Sequence, residues 1–482
     1  MKNFKDGAPT LHPEDILYDE KDVINDGPFG KVYKGLSNGL PVAIKRAHKQ
    51  ELTPEERANC LKEIALMKKV FHPNIVLFMG ACEQTNNVML VTELLSCNLA
   101  QLLYTPEQIP ESMRVTLTPD IKLRMCVEMA LGISWLNNVV GVVDVNVDIH
   151  NFLVDSHLTI KVDAFAFASF LPEANSLVSK SLPVYVSNDE YDAKKPTFAS
   201  NVYALALIFW QTFSQKPLFE EYKTKGIEAF ITDVVKGGVR PQVKPYVPES
   251  IVPLIESMWS QDPEKRPGSS VVVKTLQNAV LVNALSDHDA LEWWESKFNN
   301  EKTGGIRLEM DKPLFFNTIA KDLAIKIPKE DPIYKIFEET NVTPTSFQKS
   351  IKFFGKYYNS QFVTKELLDL FHQDYFTFES SREVVESWLD NRTDGYFVVR
   401  TSTRSPDAPF VISYNFKGAY KHNRVVRMSF EETDVRYKTV NILTQKEIFA
   451  TTVVELVDKC IKEGLVKVAC PFEKCKQNKY DD

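Results

Sequence analysis

Apolar and polar positions alternate with period two over 31–36 and 41–47, two β-branched and aromatic runs separated by Ser37-Asn38-Gly39. That alternation predicts two strands joined by a turn. Helical spacing follows: Cys60, Ile64, Met67 and Val70 recur behind Thr53-Pro54-Glu55-Glu56. Those four supply an N-cap, a proline at the first helical position and a capping-box glutamate, so a helix is expected over 54–70. The whole stretch 15–82 reads strand, strand, strand, helix, strand. Long helical patterns then dominate 94–282, as at 123–138 and 200–215. From 284 to 370, amphipathic stretches at 290–300, 313–325, 332–340 and 346–358 are separated by Gly, Pro or charged turns, which reads as a small helical bundle. Beyond 375 strand alternation returns at 396–402, 409–416, 425–431 and 436–443, flanked by helical patterns at 381–391 and 452–465. Helix, central strands, helix predicts a compact α+β module.

At 482 residues the chain is too long for a single core, so the expectation is a multidomain α+β protein. A net charge of −7 lacks the basic footprint of a nucleic-acid binder. No run of eighteen apolar residues predicts a transmembrane segment, and the N-terminus lacks the apolar core of a signal peptide. Seven cysteines, odd in number and scattered, fit reduced thiols better than a disulfide framework. These point to a cytoplasmic protein.

The chemistry is concentrated in ordered anchors. Val42-Ala43-Ile44-Lys45 is followed eighteen residues on by Glu63, then by the run from His72-Pro73-Asn74 to Gly80. Thr92 precedes Glu93–Leu95, and far downstream stand Trp259, Asp262-Pro263 and Arg266-Pro267. In that order and spacing, residues 18–282 resemble a eukaryotic protein kinase of the tyrosine-kinase-like group. The resemblance implies a bilobal protein-kinase-like fold over 15–282, after a tail at 1–14. It also implies an ATP cleft lined by Gly27, Gly30, Val32, Ala43, Lys45, Glu63, Thr92, Asn151 and Leu153, with Thr92 as gatekeeper and Lys45 paired to Glu63.

The transfer machinery departs from that pattern. With Asn151-Phe152-Leu153-Val154 as anchor, Asn146 stands where the family places its base carboxylate, and Ala164 where it places its metal-binding aspartate. An amide does not take a hydroxyl proton at pH 7, and that contribution is worth roughly 10²–10⁴ in rate. Alanine offers a hard cation no oxygen. Asp148 replaces the family's phosphate-directed lysine, the first glycine of the loop Asn25-Asp26-Gly27-Pro28-Phe29-Gly30 is lost, and Asn201 replaces another aspartate. The family's APE motif reads Ser187-Asn188-Asp189, from which Asp189 is expected to reach Arg266. No catalytic residue is intact, so the first expectation is a pseudokinase, compatible with ATP held without Mg²⁺. The second is a weakly active Ser/Thr/Tyr kinase using Mg²⁺. Neighbouring Asp163 is the alternative as a shifted metal ligand, but the spacing from Asn151 and the retained Phe165 favour Ala164 as the equivalent position.

In the C-terminal module, Tyr375-Phe376, Ser381-Arg382-Glu383, the run Gly395 to Ser402, and Lys421-His422-Asn423-Arg424-Val425 arrive in order. Residues 371–472 thereby resemble an SH2 domain, followed by a tail at 473–482. The resemblance implies a phosphotyrosine pocket of Arg382, Arg400, Ser402, His422 and Arg424. An arginine inside the apolar run 397–399 needs an anionic partner, and a guanidinium matches phosphate bidentately. The alternative is an Arg400 held by an internal carboxylate.

Taken together, the kinase-like region, the spacer at 283–370 and the C-terminal SH2-like module resemble the Shk-type SH2-bearing dual-specificity kinases over almost the full length. The spacer also resembles a degenerate EF-hand: Asn299, Glu301, Thr303, Gly304 and Ile306 fall at loop positions, but position 12 is Met310 and no aspartate is present. Calcium affinity follows carboxylate count, so a packed, metal-free brace is expected, with Trp293 and Trp294 in its core. Expected partners are tyrosine-phosphorylated proteins and an active kinase regulated allosterically, with recruitment to membranes only through such partners.

Overall fold

A computed structural model describes residues 10–26, 30–47, 53–83, 88–143, 147–163, 182–300, 305–378, 381–390, 392–402, 405–428 and 436–470. The chain divides into one unit of Met1–Val280 with Glu301–Gly305, and a second of Leu281–Asn300 with Ile306–Asp482. The stretches at 283–370 and 371–472 fall almost wholly in the second unit.

In the first unit, β1 (Ile16–Asp26), β2 (Gly30–Ser37), β3 (Leu40–Ala47), β4 (Phe78–Glu83) and β5 (Val88–Glu93) form an antiparallel sheet in the order β1-β2-β3-β5-β4. The β2–β3 turn carries Asn38 at φ 49° and Gly39 at φ 81°, the left-handed pair that an Asn-Gly hairpin turn demands. Alternation sends Tyr33, Val42, Ile44 and Val91 into a core on one face. The register places Val32, Ala43, Lys45, Leu90 and Thr92 on the other. Helix α1 (Pro54–Met67) follows β3 and ends three residues earlier than its apolar spacing suggested. Lys68 and Lys69 lie beyond it, and His72 precedes Pro73, which disfavours helix.

After β5 come β6 (Cys97–Asn98), α2 (Leu99–Tyr104), α3 (Pro119–Trp135), β7 (Phe152–Val154), β8 (Ile160–Val162), α4 (Asn188–Ala193) and α5 (Phe198–Ser214). Asn98 and Gln101 close a reciprocal cap on α2. Every residue from Ser200 to Phe213 is buried, as expected of a helix with no polar stripe. Strands β6, β7 and β8 form a small sheet. Backbone bonds from Val76 to Val162 (3.0 Å) and from Val162 to Asn74 (2.9 Å) tie β8 to the segment leading into β4.

The second unit starts with α6 (His288–Phe298), β9 (Met310–Asp311), α7 (Lys312–Asp322), β10 (Asn341–Val342), α8 (Pro344–Phe354) and α9 (Gln361–Phe371). The pairing of β9 with β10 adds a short ladder to the expected helices, and the expected helix at 332–340 is only a 3₁₀ turn, Pro332–Ile336. Met310, at the twelfth loop position, is buried. Trp294 is fully buried and donates from Nε1 to the Arg307 carbonyl at 2.9 Å. Next come β11 (Phe376–Thr377), α10 (Arg382–Leu389), β12 (Tyr396–Thr401), β13 (Phe410–Phe416), β14 (Ala419–Arg427), β15 (Tyr437–Val440), β16 (Glu447–Ala450), α11 (Val453–Lys462) and β17 (Val468–Ala469). The strands run in that order from β11 to β16, with β17 also on β12. Helix α10 packs Val385 and Leu389 against Val398 on one face of the sheet. On the other face, Phe397, Phe410 and Val457 share one continuous core with Trp294, Phe315 and Phe347 of the helical stretch.

Candidate functional site

Two sets of expected residues converge, one in each unit. In the first, Lys45 and Val32 are cross-strand partners, as are Ala43 and Thr92, so the four share the sheet face opposite the core. Lys45 and Thr92 are buried, Val32 and Leu153 half-buried. Gly30 pairs with Ala47, and a Cβ on it would meet the Arg46 carbonyl oxygen at 2.4 Å, so strand packing by itself requires glycine there. Asp26 ion-pairs with Lys31 at 3.4 Å. Gly27, Asn146 and Ala164 lie outside the described residues, as does the side chain of Glu63.

The charge on Lys45 is met from an unexpected side. Its Nζ donates to both carboxylate oxygens of Asp163 at 2.5 Å. Asp163 is placed by its own backbone, whose N–H donates to the Asn151 carbonyl at 2.7 Å. Asn151 closes a 3₁₀ turn that Asp148 caps: the Asp148 carboxylate accepts from the His150 backbone at 2.8 Å and sits 2.7 Å from its Nδ1. That contact raises the His150 pKa. Asp148 is thus occupied with shaping the turn. Between the strands, Glu93 binds Lys161 at 2.7 Å and accepts from the Leu77 amide at 2.7 Å, fixing β5 to β8.

The second set lies where α10 crosses β12, β13 and β14. Arg400 is buried, with Nε donating to the Ser413 hydroxyl at 3.2 Å. His422, opposite Ser413 in the ladder, has Nδ1 at 3.0 Å from that hydroxyl and Nε2 at 2.9 Å from Oε1 of Glu386. Arg382 Nε donates to the same Oε1 at 2.8 Å. Arg382 and His422 hold the Glu386 pKa below the ordinary carboxylate range, whereas burial lowers that of His422. An ionised carboxylate only accepts, so Nε2 carries the proton and Nδ1 accepts from Ser413. The hydroxyl in turn accepts from Arg400. Arg424 shares this face by register but is exposed, and Ser402 bonds through its backbone N–H to the Pro409 carbonyl at 2.8 Å. Sequence reasoning missed Glu386 and Ser413. Four-residue spacing from Arg382 was the available signal for the first; for the second it was a polar residue in an otherwise apolar strand.

Residues 19–276, more than half of the chain, match the family model described as protein tyrosine and serine/threonine kinase. The chain belongs to that kinase family. Among named relatives, dual specificity protein kinase shkE of Dictyostelium discoideum is 27% identical over 98% of this chain and 68% of its own length. The shkD protein of the same organism is 27% identical over 100% of this chain and 64% of its own length. Dual specificity protein kinase shkA is 28% identical over 92% and 88%, respectively. These names agree better with an active dual-specificity kinase than with the pseudokinase expectation. The kinase domain also carries the large-lobe contacts that the motifs foreshadowed. Arg266 reaches Asp189 at 2.9 Å and the Ser260 carbonyl at 2.8 Å, and lies over the Tyr203 ring. Asn201 donates to the Val143 carbonyl at 2.9 Å, at the entrance to the segment holding Asn146. Among the described residues no helix is long and apolar enough to cross a membrane.

Proposed function

We propose that this kinase-family protein works in phosphotyrosine signalling, with an SH2-type C-terminal module that binds phosphotyrosine through Arg382, Arg400 and His422. The kinase domain then serves as a partner-binding element that does not transfer phosphate. The observation that carries the module's role is the buried Arg400 on a strand beside α10, its guanidinium bonded by Nε to a hydroxyl. A phosphotyrosine supplies nearly two charges and three acceptor oxygens for such a fork. In the kinase domain, Ala43, Thr92 and Leu153 fit the wall of an adenine pocket. The phosphate end fits less well, because the lysine charge is already met by Asp163, and both Asp163 oxygens are committed to Lys45. Asn146 and Ala164 add the chemical argument: with neither carboxylate at these positions, proton acceptance and magnesium binding both lack their usual residues. Partners on this reading are tyrosine-phosphorylated cytoplasmic proteins and an active kinase that the domain biases.

The test of the module is binding of the full chain to phosphotyrosine peptide panels, with Arg400→Leu beside wild type. Loss of two charge-assisted hydrogen bonds, roughly 1.5–3 kcal/mol each, predicts at least about a hundredfold weaker binding. Equal binding by both proteins excludes the pocket.

A second reading is a slow dual-specificity kinase recruited by its SH2-type module, with Mg²⁺. Two observations favour it: the relatives' names, and the placement of the Asp163 carboxylate, one residue before Ala164 in sequence, on the Lys45 ammonium.

A further inference from the structure

Resting on the phosphotyrosine reading, the hydrogen-bond chain at α10 says something more about how that pocket is controlled. One oxygen, Oε1 of Glu386, takes the donors of both Arg382 (2.8 Å) and His422 (2.9 Å). His422 continues through Ser413 to Arg400, so three side chains assigned to phosphate recognition are joined to one internal carboxylate. A carboxylate oxygen and a phosphate oxygen make the same demand, since both are anionic and accept only. The Glu386 side chain is 23% exposed and that of His422 only 15%, whereas that of Arg382 is 62% exposed. The anion therefore sits inside the cluster, with the arginine free to swing outward on the solvent side.

We infer that Glu386 is a built-in competitor for the phosphate. It holds Arg382 in an ion pair and His422 by a hydrogen bond, and a phosphotyrosine binds only by displacing it from both. Two consequences follow. The pocket rejects weak, singly charged anions, because they gain no more from Arg382 than Glu386 already does. The affinity for phosphotyrosine is also set below what the three basic groups would give, because the incoming dianion approaches a fixed negative charge.

Phenyl phosphate isolates the pocket from peptide sequence preference. Calorimetric titrations of the full chain at fixed salt compare wild type, Glu386→Gln, Glu386→Ala and Arg400→Leu. Removing the competing charge is expected to tighten phenyl phosphate binding by about tenfold or more, with both Glu386 substitutions moving the same way and Arg400→Leu abolishing binding. Binding that depends on Arg400 but is equal or weaker in both Glu386 variants overturns the competitor role, making Glu386 a positioning residue, and leaves the phosphotyrosine reading standing. Absence of Arg400-dependent binding in wild type and both Glu386 variants overturns that reading and this inference with it.

Discussion

Asp163 on Lys45 is the contact with most chemical consequence in the kinase domain, because it sets a carboxylate directly against the charge of the cleft lysine. Both carboxylate oxygens are within 2.5 Å of Nζ, and the side chains are 9% and 16% exposed. Asp163→Asn removes a negative charge from beside the expected phosphate position and returns the lysine charge to the cleft. Two unit charges 4 Å apart interact by up to about 4 kcal/mol at an effective dielectric near 20, and screening reduces this. ATP binding in EDTA is therefore expected to tighten about tenfold in Asp163→Asn, read by titration or by the ATP-induced thermal shift. Unchanged or weaker binding means that Asp163 is not neutralising the lysine against nucleotide. Lys45 was legible in the sequence because the VAIK strand and its register announce it. The Asp163 contact was not, because whether Asp163 or its neighbour faces the lysine depends on how the chain leaves β8; the side chain of Glu63, the expected partner, lies outside the described residues.

At the scale of elements, α9 shows why the helical stretch and the sheet belong to one unit. It buries Leu367 and Leu370 in the core that holds Phe397 and Phe410, and it carries Glu366, only 5% exposed. Glu366 lies near Arg436, with N···O at 3.9 Å, and burial raises its pKa to about 7. A carboxyl raised on folding contributes stability that is complete below its unfolded pKa near 4.5 and is lost as pH rises through 7. The packing of α9 on β15 is therefore expected to weaken between about pH 4.5 and 7 and to be weakest above it. Glu366→Gln should remove that slope and stabilise the region at pH 8 by roughly 1–3 kcal/mol. Hydrogen exchange of Gln361–Phe371 and Tyr437–Val440 reads it; parallel slopes in both proteins count against a buried titrating Glu366. The helical bundle expected over 284–370 did not single out residues 361–371, which form α9. Nor did it say what they pack against, because the partners Phe397 and Phe410 are distant in sequence. The short strands β11, β16 and β17 escaped for a related reason, since two to four residues carry too little alternation to stand out.

For the whole molecule, the family relationship and the residues of the cleft pull in different directions. The relatives are named as dual specificity kinases, and the sheet, the Lys45 strand and the Arg266–Asp189 contact are all retained. Against this stand Asn146 and Ala164, readable directly from the sequence, and a cleft lysine whose charge is met within the protein. Loss of the base alone costs roughly 10²–10⁴ in rate, and loss of the metal carboxylate acts on the same transition state. Incubation of the purified full chain with radiolabelled ATP and either Mg²⁺ or Mn²⁺, beside Lys45→Ala, tests this most directly. The account predicts no incorporation into Ser, Thr or Tyr above the Lys45→Ala background; labelling that disappears with Lys45 would contradict it and establish a working kinase.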